Sequence, residues 1–244
     1  MLWSRLSRMT AFAKDPFLKA EKLERPHGAG EPHPTWADYE LEAAIEDAIA
    51  SNHPGLARAL ALARWGGFRR GTICAIPLNA RVWGFDAAQQ RHRRLSWITE
   101  KRRVARDKPE DSRLTQLLDR TPNRATTIAY NADAGVWKER QLSQAVERLV
   151  ERLAKKSIMR SGLTLHGLRH ARGVELAMAG ASDAEIMAQI EHAKDKAAKI
   201  YRRQAERRGL ADNGQSKIDN IIDLRAKPRT KVEFGIVNGP VNGL

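Results

Sequence analysis

Four side chains between residues 163 and 208 are of the types that could together act on a phosphate group. His166 and Arg169 stand three residues apart in the run Leu-Thr-Leu-His-Gly-Leu-Arg-His. His192 follows a helical stretch, and Tyr201 lies nine residues beyond that histidine. A guanidinium can bind a phosphate through two parallel donors, and a phenol beside it can act as a nucleophile. These types and spacings predict attack on a phosphodiester.

The histidines leave a metal site open as an alternative. His170 lies four residues after His166, so the two imidazoles share one helical face, and His192 could be a third ligand. However, no glutamate follows His166, as the metalloprotease helix pattern requires. A zinc site would also have to form without a cysteine or a nearby carboxylate. The pattern therefore favours phosphate chemistry over zinc.

The composition points independently to a polyanionic partner. The chain of 244 residues has 43 Lys and Arg against 29 Asp and Glu, a net charge of +14. Such a field attracts nucleic acid or an anionic membrane surface. No apolar run approaches the ~18 residues that span a bilayer, and the N-terminus lacks the apolar region of a secretory signal. One cysteine, Cys74, excludes an internal disulfide. We expect a cytoplasmic protein that binds nucleic acid and no membrane.

The elements that must position these side chains are mostly helices. Apolar residues at three- and four-residue spacing predict helices from about 36 to 50, from 56 to the glycines at 66–71, and over 112–119, 139–156, 166–179, 183–191 and 194–208. Aromatic and β-branched runs predict short strands at 82–85 and 95–99 and a third near Val104, with 86–94 as a connection and 125–130 as an extended piece. We expect a mainly α fold with a small antiparallel β-sheet.

Composition shifts divide the chain into three parts. Residues 1–34 are typical of a remnant helix followed by a linker rich in Pro and Gly. Residues 35–208 carry the predicted elements and form the expected catalytic domain. Residues 209–244, polar and charged, are expected to be a mobile C-terminal tail.

The order of these motifs resembles that of the tyrosine recombinases, or phage-type integrases. The catalytic domain of that family carries a Gly-x-Arg box, a lysine in a β-hairpin, a His-x-x-Arg box, a further histidine, and a tyrosine nine residues later. The matching residues here are Gly67-Phe68-Arg69, Lys101, His166 with Arg169, His192 and Tyr201. Leu-Ala-Met-Ala-Gly-Ala-Ser at 176–182 also resembles a family passage. The resemblance covers about residues 35–208 and implies the DNA breaking-rejoining fold.

The resemblance implies a role for each matching residue. Tyr201 would attack the scissile phosphate to form a 3′-phosphotyrosyl bond, and Arg69 with Arg169 would stabilise the charge on its oxygens. The covalent link conserves the phosphodiester energy, so no nucleotide cofactor is required. Because two arginines supply the positive charge, no metal is required either.

The remaining family positions would handle protons and bind the duplex. Lys101 would protonate the leaving 5′-oxygen, and after a one-residue slip Arg102 or Arg103 would take its place. His166 would accept or orient the tyrosyl proton, and His192 would hydrogen-bond a phosphate oxygen. The candidate contacts to double-stranded DNA are Arg70, Arg94, Arg102, Arg103, Arg202 and Arg203. The resemblance also implies a homo-tetramer on paired DNA sites.

Three departures from the family pattern keep other functions open. Thr72 stands where the family usually has an acidic residue. Ile190 and Glu191 stand before His192, where the family usually has Leu-Gly. With 34 residues before the matching region, we expect the N-terminal DNA-binding domain to be missing or truncated. The alternative is a catalytically weakened or inactive integrase-like DNA-binding protein, a relic of a mobile element. DNA relaxation by a type IB topoisomerase is a related chemistry, and net charge alone would also fit an RNA-binding or membrane-surface protein.

Overall fold

The computed structural model of this chain describes residues 34–85, 88–99, 103–190 and 195–226. Three of the predicted site residues, Lys101, Arg102 and His192, lie outside the described residues, as does Glu191. The remnant helix and linker expected before residue 34 also lie outside them.

The described chain is mainly α-helical with one small antiparallel sheet, which confirms the predicted fold class. In chain order the helices are α1 (Asp38–Ala50), α2 (Pro54–Arg64), α3 (Arg70–Ala75), α4 (Ser112–Arg120), α5 (Glu139–Lys155), α6 (Leu165–Met178), α7 (Asp183–Gln189) and α8 (Asp195–Ala226). The strands β1 (Arg81–Phe85), β2 (Arg91–Ile98) and β3 (Ala105–Pro109) lie between α3 and α4 and pair in the order β1-β2-β3. Among the described residues, no helix is both long and apolar enough to cross a membrane.

Helix α2 lies at the centre of the core, and all of its residues are buried. This helix contains the buried side chain of Arg58, which donates hydrogen bonds to the hydroxyl of Thr121 at 2.9 Å and to the Leu118 carbonyl at 3.0 Å. These bonds offset the cost of burying its charge. A buried guanidinium is tolerated only when its donors find such acceptors. Because α2 is held on all sides, the loop that follows it starts from a fixed point.

The N-terminus of α1 is fastened to the segment that leads into α6. The buried carboxylate of Glu40 accepts hydrogen bonds from the Ala37 amide at 2.8 Å and from the Arg160 guanidinium at 2.7 and 2.8 Å. Burial alone would raise the pKa of Glu40, but these hydrogen bonds lower it to about 2. Trp36 Nε1 donates to the Thr164 carbonyl at 2.8 Å. Since α6 begins at the next residue, this clamp fixes where the His-x-x-Arg helix starts.

The inner face of the sheet packs against the loop after α2. Leu95 on β2 is buried, and the Trp97 ring meets the Phe68 ring edge to face at 5.8 Å between centroids. In the β2–β3 register Leu95 lies opposite Lys108 and Trp97 opposite Arg106. The side chains of alternate residues point to the same face of a sheet, so Leu95, Trp97 and Lys108 share the inner face.

The predicted end of the second helix, near the first arginine box, was wrong. The predicted second helix continued into the glycines, whereas α2 ends at Arg64 and a separate helix, α3, begins at Arg70. Gly67 has a φ of +63°, a left-handed conformation that interrupts the helix and that glycine adopts without strain.

The strand β2 begins four residues earlier than predicted. Its first residues, Arg91 to Arg94, are all basic or histidine, which hid the strand in the sequence. The structure gives these charges partners: the guanidinium carbons of Arg91 and Arg93 lie 4.3 and 4.1 Å from the Trp83 ring centroid. Arg94 forms a bidentate ion pair with Asp107 at 2.8 Å. Stacking and ion pairing therefore offset the low strand propensity of the run.

The last helix is longer than predicted. Helix α8 continues to Ala226, eighteen residues beyond the predicted end at 208. Its side chains from Gly209 to Asp219 are almost all exposed, so no apolar stripe marked the extension in the sequence. A hydrogen bond between Gln215 and Asp219 at 2.8 Å links two positions one turn apart on this surface.

Candidate active site

The first arginine box lies in the loop that closes the buried helix α2. The Phe68 amide donates to the Leu62 carbonyl at 3.2 Å, a bond that folds the loop back over the end of the helix. A Cβ at Gly67 would lie 3.3 Å from atoms of Arg172 and Ile190, so the left-handed turn packs directly on α6 and on the end of α7. Arg69 follows in extended conformation at the start of α3, with its side chain exposed.

The second arginine box meets this loop from α6. Arg169 is 2% exposed, and its guanidinium donates a hydrogen bond to the Gly67 carbonyl. Two residues after that carbonyl the chain reaches Arg69. The structure thus places the two arginine boxes, one hundred residues apart in sequence, side by side.

Tyr201 on α8 completes this group. It is 4% exposed, and its ring meets the ring of His170 edge to face with 5.0 Å between the centroids. Burial raises the pKa of Tyr201, whereas the charges of Arg169 and Arg69 lower it, and the net pKa stays above the ordinary value. Of the predicted catalytic residues, Arg69 and Arg169 therefore lie close enough to Tyr201 for their charges to act on its phenol.

His166 lies in the first turn of α6 and is exposed. The hydroxyl of Thr164 caps this helix by accepting from the Gly167 amide at 3.3 Å. Three residues separate His166 from Arg169, so the two side chains occupy the same side of α6. His170, the second histidine of the alternative metal site, instead packs on Tyr201. Within the described ranges, no group of three or more His, Cys, Asp or Glu side chains could hold a metal ion.

Three of the six arginines that are candidate DNA contacts form ion pairs with carboxylates of the protein itself. Arg70 donates to Glu139 at 3.0 Å and Arg94 is held by Asp107, while Arg202 pairs with Asp183. Arg103 and Arg203 are exposed, and among the described residues no ion pair joins either of them to a carboxylate. The DNA-binding role of these arginines stays a prediction.

An ion-pair network behind the first arginine box was not predicted from the sequence. Glu175 accepts from Arg64 at 2.7 Å, Arg172 at 2.8 Å and Arg113 at 3.0 Å. Burial would raise the pKa of Glu175, but these hydrogen bonds and charges lower it to about 2. Arg172 is also the residue that packs against Gly67. A helical spacing of three between Arg172 and Glu175 was the one signal available in the sequence.

The burial of Lys108 on β3 is a second feature that was not predicted from the sequence. Lys108 is 8% exposed, and its ammonium donates to the carbonyls of Gly66 and Gln189. Its Nζ also lies 4.7 Å from the Phe68 ring centroid. Lys108 therefore contacts the arginine-box loop directly.

Solved structures of recombinases have a similar fold. A lambda integrase dimer bound to a core site matches with a TM-score of 0.59 and 18% identity over 82% of this chain and 68% of that chain. XerA recombinase matches with a TM-score of 0.53 and 16% identity over 79% of this chain and 66% of that chain. XerH recombinase bound to a palindromic difH substrate matches with a TM-score of 0.57 and 14% identity over 80% of this chain and 57% of that chain.

At these identities the likeness establishes the fold, and the chain spans about two thirds or less of the length of XerA and XerH. No curated protein sequence matches the chain. The family model described as the phage integrase family matches residues 42–208, which include both arginine boxes, His166 and Tyr201. This match confirms the resemblance drawn from the motifs: the chain belongs to the phage integrase family.

Proposed function

We propose that this protein carries out site-specific recombination of DNA by tyrosine attack on a phosphodiester. Tyr201 Oη forms a bond to the scissile phosphorus, and the bond from phosphorus to the 5′-oxygen breaks. The products are a 3′-phosphotyrosyl link and a free 5′-hydroxyl, and reversal with a new 5′-hydroxyl rejoins the strands. The observation that carries the proposal is the convergence of Arg69, Arg169 and Tyr201 from three distant segments.

The two arginines stabilise the charge that develops on the non-bridging oxygens as phosphorus becomes five-coordinate. Arg169 is oriented by its bond to the Gly67 carbonyl, and Arg69 is exposed towards solvent, where a phosphate can approach. Donors that are fixed before reaction stabilise a transition state without reorganisation, and losing one typically costs about 10²–10³ in rate.

Proton transfer falls to the remaining family positions. We assign Lys101 as the general acid for the 5′-oxygen and His166 as the group that accepts or orients the proton of Tyr201. His192 donates to a phosphate oxygen. His166 is supported by its place on the same side of α6 as Arg169, and the other two assignments rest on their match to the family motif.

The proposed partner is double-stranded DNA, bound by a tetramer. Exchange between two duplexes breaks four strands, and each chain carries one Tyr201, so four copies are needed. The excess of basic residues suits a polyanion. We assign residues 35–208 as the catalytic domain, with a short helix and linker in 1–34 and a C-terminal tail in 209–244 that begins inside α8.

A second candidate function, duplex binding without cleavage, is favoured by one observation. Tyr201 is 4% exposed as a whole residue, so little of this side chain is open to a DNA phosphate without a local change in structure. A protein that only occupies DNA sites would need no such change. The same experiment separates the two functions.

The test uses a library of duplex oligonucleotides of randomised sequence, each nicked so that the cleaved fragment diffuses away. Covalent adducts that survive SDS are isolated and their DNA is sequenced. We expect the wild-type protein to form such adducts and Tyr201→Phe to form none, because the variant lacks the attacking oxygen.

Tyr39→Phe is the matched control, because Tyr39 is an exposed phenol on α1. It should form adducts as the wild type does. Binding of the library without any adduct from the wild type would establish the second function, and an adduct from Tyr201→Phe would exclude this residue as the nucleophile.

A further inference from the structure

Lys108 is a buried lysine in a strongly charged stretch of the chain. It stands in the run Arg-Asp-Lys-Pro-Glu-Asp, yet it points to the inner face of the sheet beside Leu95 and is 8% exposed. Burying an ammonium is unfavourable unless its donors are satisfied. Here they are met by the carbonyls of Gly66 and Gln189 and by the face of the Phe68 ring.

Each of the two carbonyls lies a short distance along the chain before a predicted phosphate-binding residue. Gly66 lies three residues before Arg69, and Gln189 is the last residue of α7, three residues before His192. The arginine-box loop and the end of α7 also pack together, since a Cβ at Gly67 would lie 3.5 Å from the Gln189 carbonyl oxygen. The ammonium therefore bridges two chain segments at the point where they pack together.

Arg169 bonds the neighbouring carbonyl, that of Gly67. Consecutive carbonyls of one loop are thus bonded by two cations from different elements, Lys108 from the sheet and Arg169 from α6. This arrangement fixes both the position and the orientation of the peptide planes that lead to Arg69. Neither bond requires DNA to be present.

We propose that Lys108 is a positioning residue for strand cleavage, one that holds Arg69 in place relative to Arg169 and to the end of α7. This inference rests on the proposed function and names a residue of that same site. Lys108 does not touch the DNA in this role, because its Nζ is turned into the protein towards two carbonyls.

Removing the ammonium would take a hydrogen-bond donor away from the carbonyls of Gly66 and Gln189. Methionine has nearly the same length and flexibility as lysine but no donors, so two buried carbonyl oxygens would lose a partner. The loop would then move to reach other donors, and Arg69 would move with it. A displacement of about 1 Å at a catalytic group can cost on the order of 10² in rate.

The test is a double-mutant cycle on the rate of adduct formation in a single turnover, with the nicked duplex selected by the wild-type protein. We expect Lys108→Met to lower this rate about a hundredfold, with the Kd for the same duplex changed less than about threefold. In the Arg69→Ala background, Lys108→Met should cost less than about threefold, because the residue that it positions is gone. Lys156→Met, an exposed lysine at the end of α5, is the matched control.

A second substrate separates positioning from proton donation. When the 5′-bridging oxygen is replaced by sulfur, the leaving thiolate needs no general acid. The loss in Lys108→Met should persist on this substrate, and full recovery would overturn the inference by making Lys108 the proton donor. If the methionine variant does not fold, Lys108→Gln decides the question, because its amide keeps donors for the carbonyls but supplies no acid proton. Positioning predicts a smaller loss of rate than in a variant without donors, and the same loss on both substrates. A proton donor would instead lose its rate on the oxygen substrate and recover it on the sulfur substrate.

The outcomes distinguish this inference from the proposed function. Equal costs of Lys108→Met with and without Arg69, or no cost at all, would overturn the positioning role while the wild type still forms adducts. A wild type that forms no adduct would overturn the function and the inference with it.

Discussion

At the scale of single residues, a glycine on α6 determines where the ring of Tyr201 lies. The ring of Tyr201 packs on α6 at Gly173, where an added Cβ would lie 2.8 Å from three ring atoms. Real Cβ atoms essentially never approach so closely, so any other residue would push the ring away. The place of the proposed nucleophile is therefore set by a glycine four residues after Arg169.

This close approach predicts the effect of Gly173→Ala. Alanine favours the helix by up to about 1 kcal/mol over glycine, but the crowding it creates costs about 1–3 kcal/mol, so the free energy of unfolding should fall slightly. The displaced phenol should lower the rate of adduct formation about tenfold to a hundredfold, with little change in the Kd for DNA. Single-turnover adduct assays and thermal unfolding measure both effects.

Gly209→Ala is the matched control, since Gly209 lies inside α8 and an added Cβ there meets nothing within 4 Å. It should raise the stability by up to about 1 kcal/mol through helix propensity and leave the cleavage rate unchanged. A Gly173→Ala protein with the wild-type rate would show that the ring position seen here is not the one used in cleavage.

The sequence predicted part of this site and missed part of it for a physical reason. Residue type and spacing selected Arg169 and Tyr201, and the resemblance to the recombinase motifs added Arg69, because that family carries these residues in a constant order along the chain. Lys108 could not be selected. Its role depends on the backbone carbonyls of two distant segments. Because every residue has a carbonyl, the sequence does not show which of them will meet a buried lysine.

At the scale of elements, α6 is the part to which the other site elements are attached. Glu175 links it to the end of α2 through Arg64 and to the start of α4 through Arg113. Asp111, the N-cap of α4, links back to α6 through Arg172 at 3.0 Å. Because these contacts lie within three turns of Arg169, they fix the helix that presents it.

The low pKa of Glu175 makes this attachment dependent on pH. The carboxylate has a pKa of about 2 in the folded protein against 4.5 as its ordinary value, so its stabilising effect is complete above about pH 4.5 and is lost as the pH falls towards 2. Glu175→Gln should therefore lower the free energy of unfolding at neutral pH by about 1–3 kcal/mol. The difference from the wild type should shrink steadily between pH 4.5 and 2.

Denaturant unfolding at a series of pH values measures this difference. Glu42→Gln on α1, an exposed carboxylate, is the control and should stay within about 0.5 kcal/mol of the wild type. A Glu175→Gln effect that does not vary with pH would mean that lost packing, and not the lost charge, causes the destabilisation.

The element boundaries show which kinds of element could be predicted from the sequence. The amphipathic helix predicted at 139–156 was confirmed as α5 to within one residue, because its buried stripe recurs with the helical period. The short helix α3 was not predicted. It has only six residues, and it is separated from α2 by the left-handed turn at Gly67, whose conformation depends on how the loop packs on α6 and α7.

At the scale of the whole molecule, the count of 43 Lys and Arg residues overstates the number of cations that are available to DNA. Several arginines are engaged in ion pairs, such as Arg120 with Glu46 at 2.7 Å and Arg81 with Glu110 at 2.8 Å. An arginine already paired with a carboxylate neutralises little of a phosphate's charge. Affinity for DNA should therefore depend on which arginines remain exposed near Tyr201 rather than on the total.

This distinction predicts different salt dependences for two variants of equal charge. Arg203 is exposed on α8, two residues after Tyr201. Arg120, the last residue of α4, instead forms an ion pair with Glu46 on α1. Each phosphate contact contributes about 0.9 to the slope of log affinity against log salt for a duplex. Arg203→Gln should reduce that slope by about 1, and Arg120→Gln should leave it unchanged. Titrations of a random-sequence duplex at several salt concentrations give both slopes. Equal slopes for the two variants would mean that the overall field, and not contacts around the nucleophile, holds the DNA.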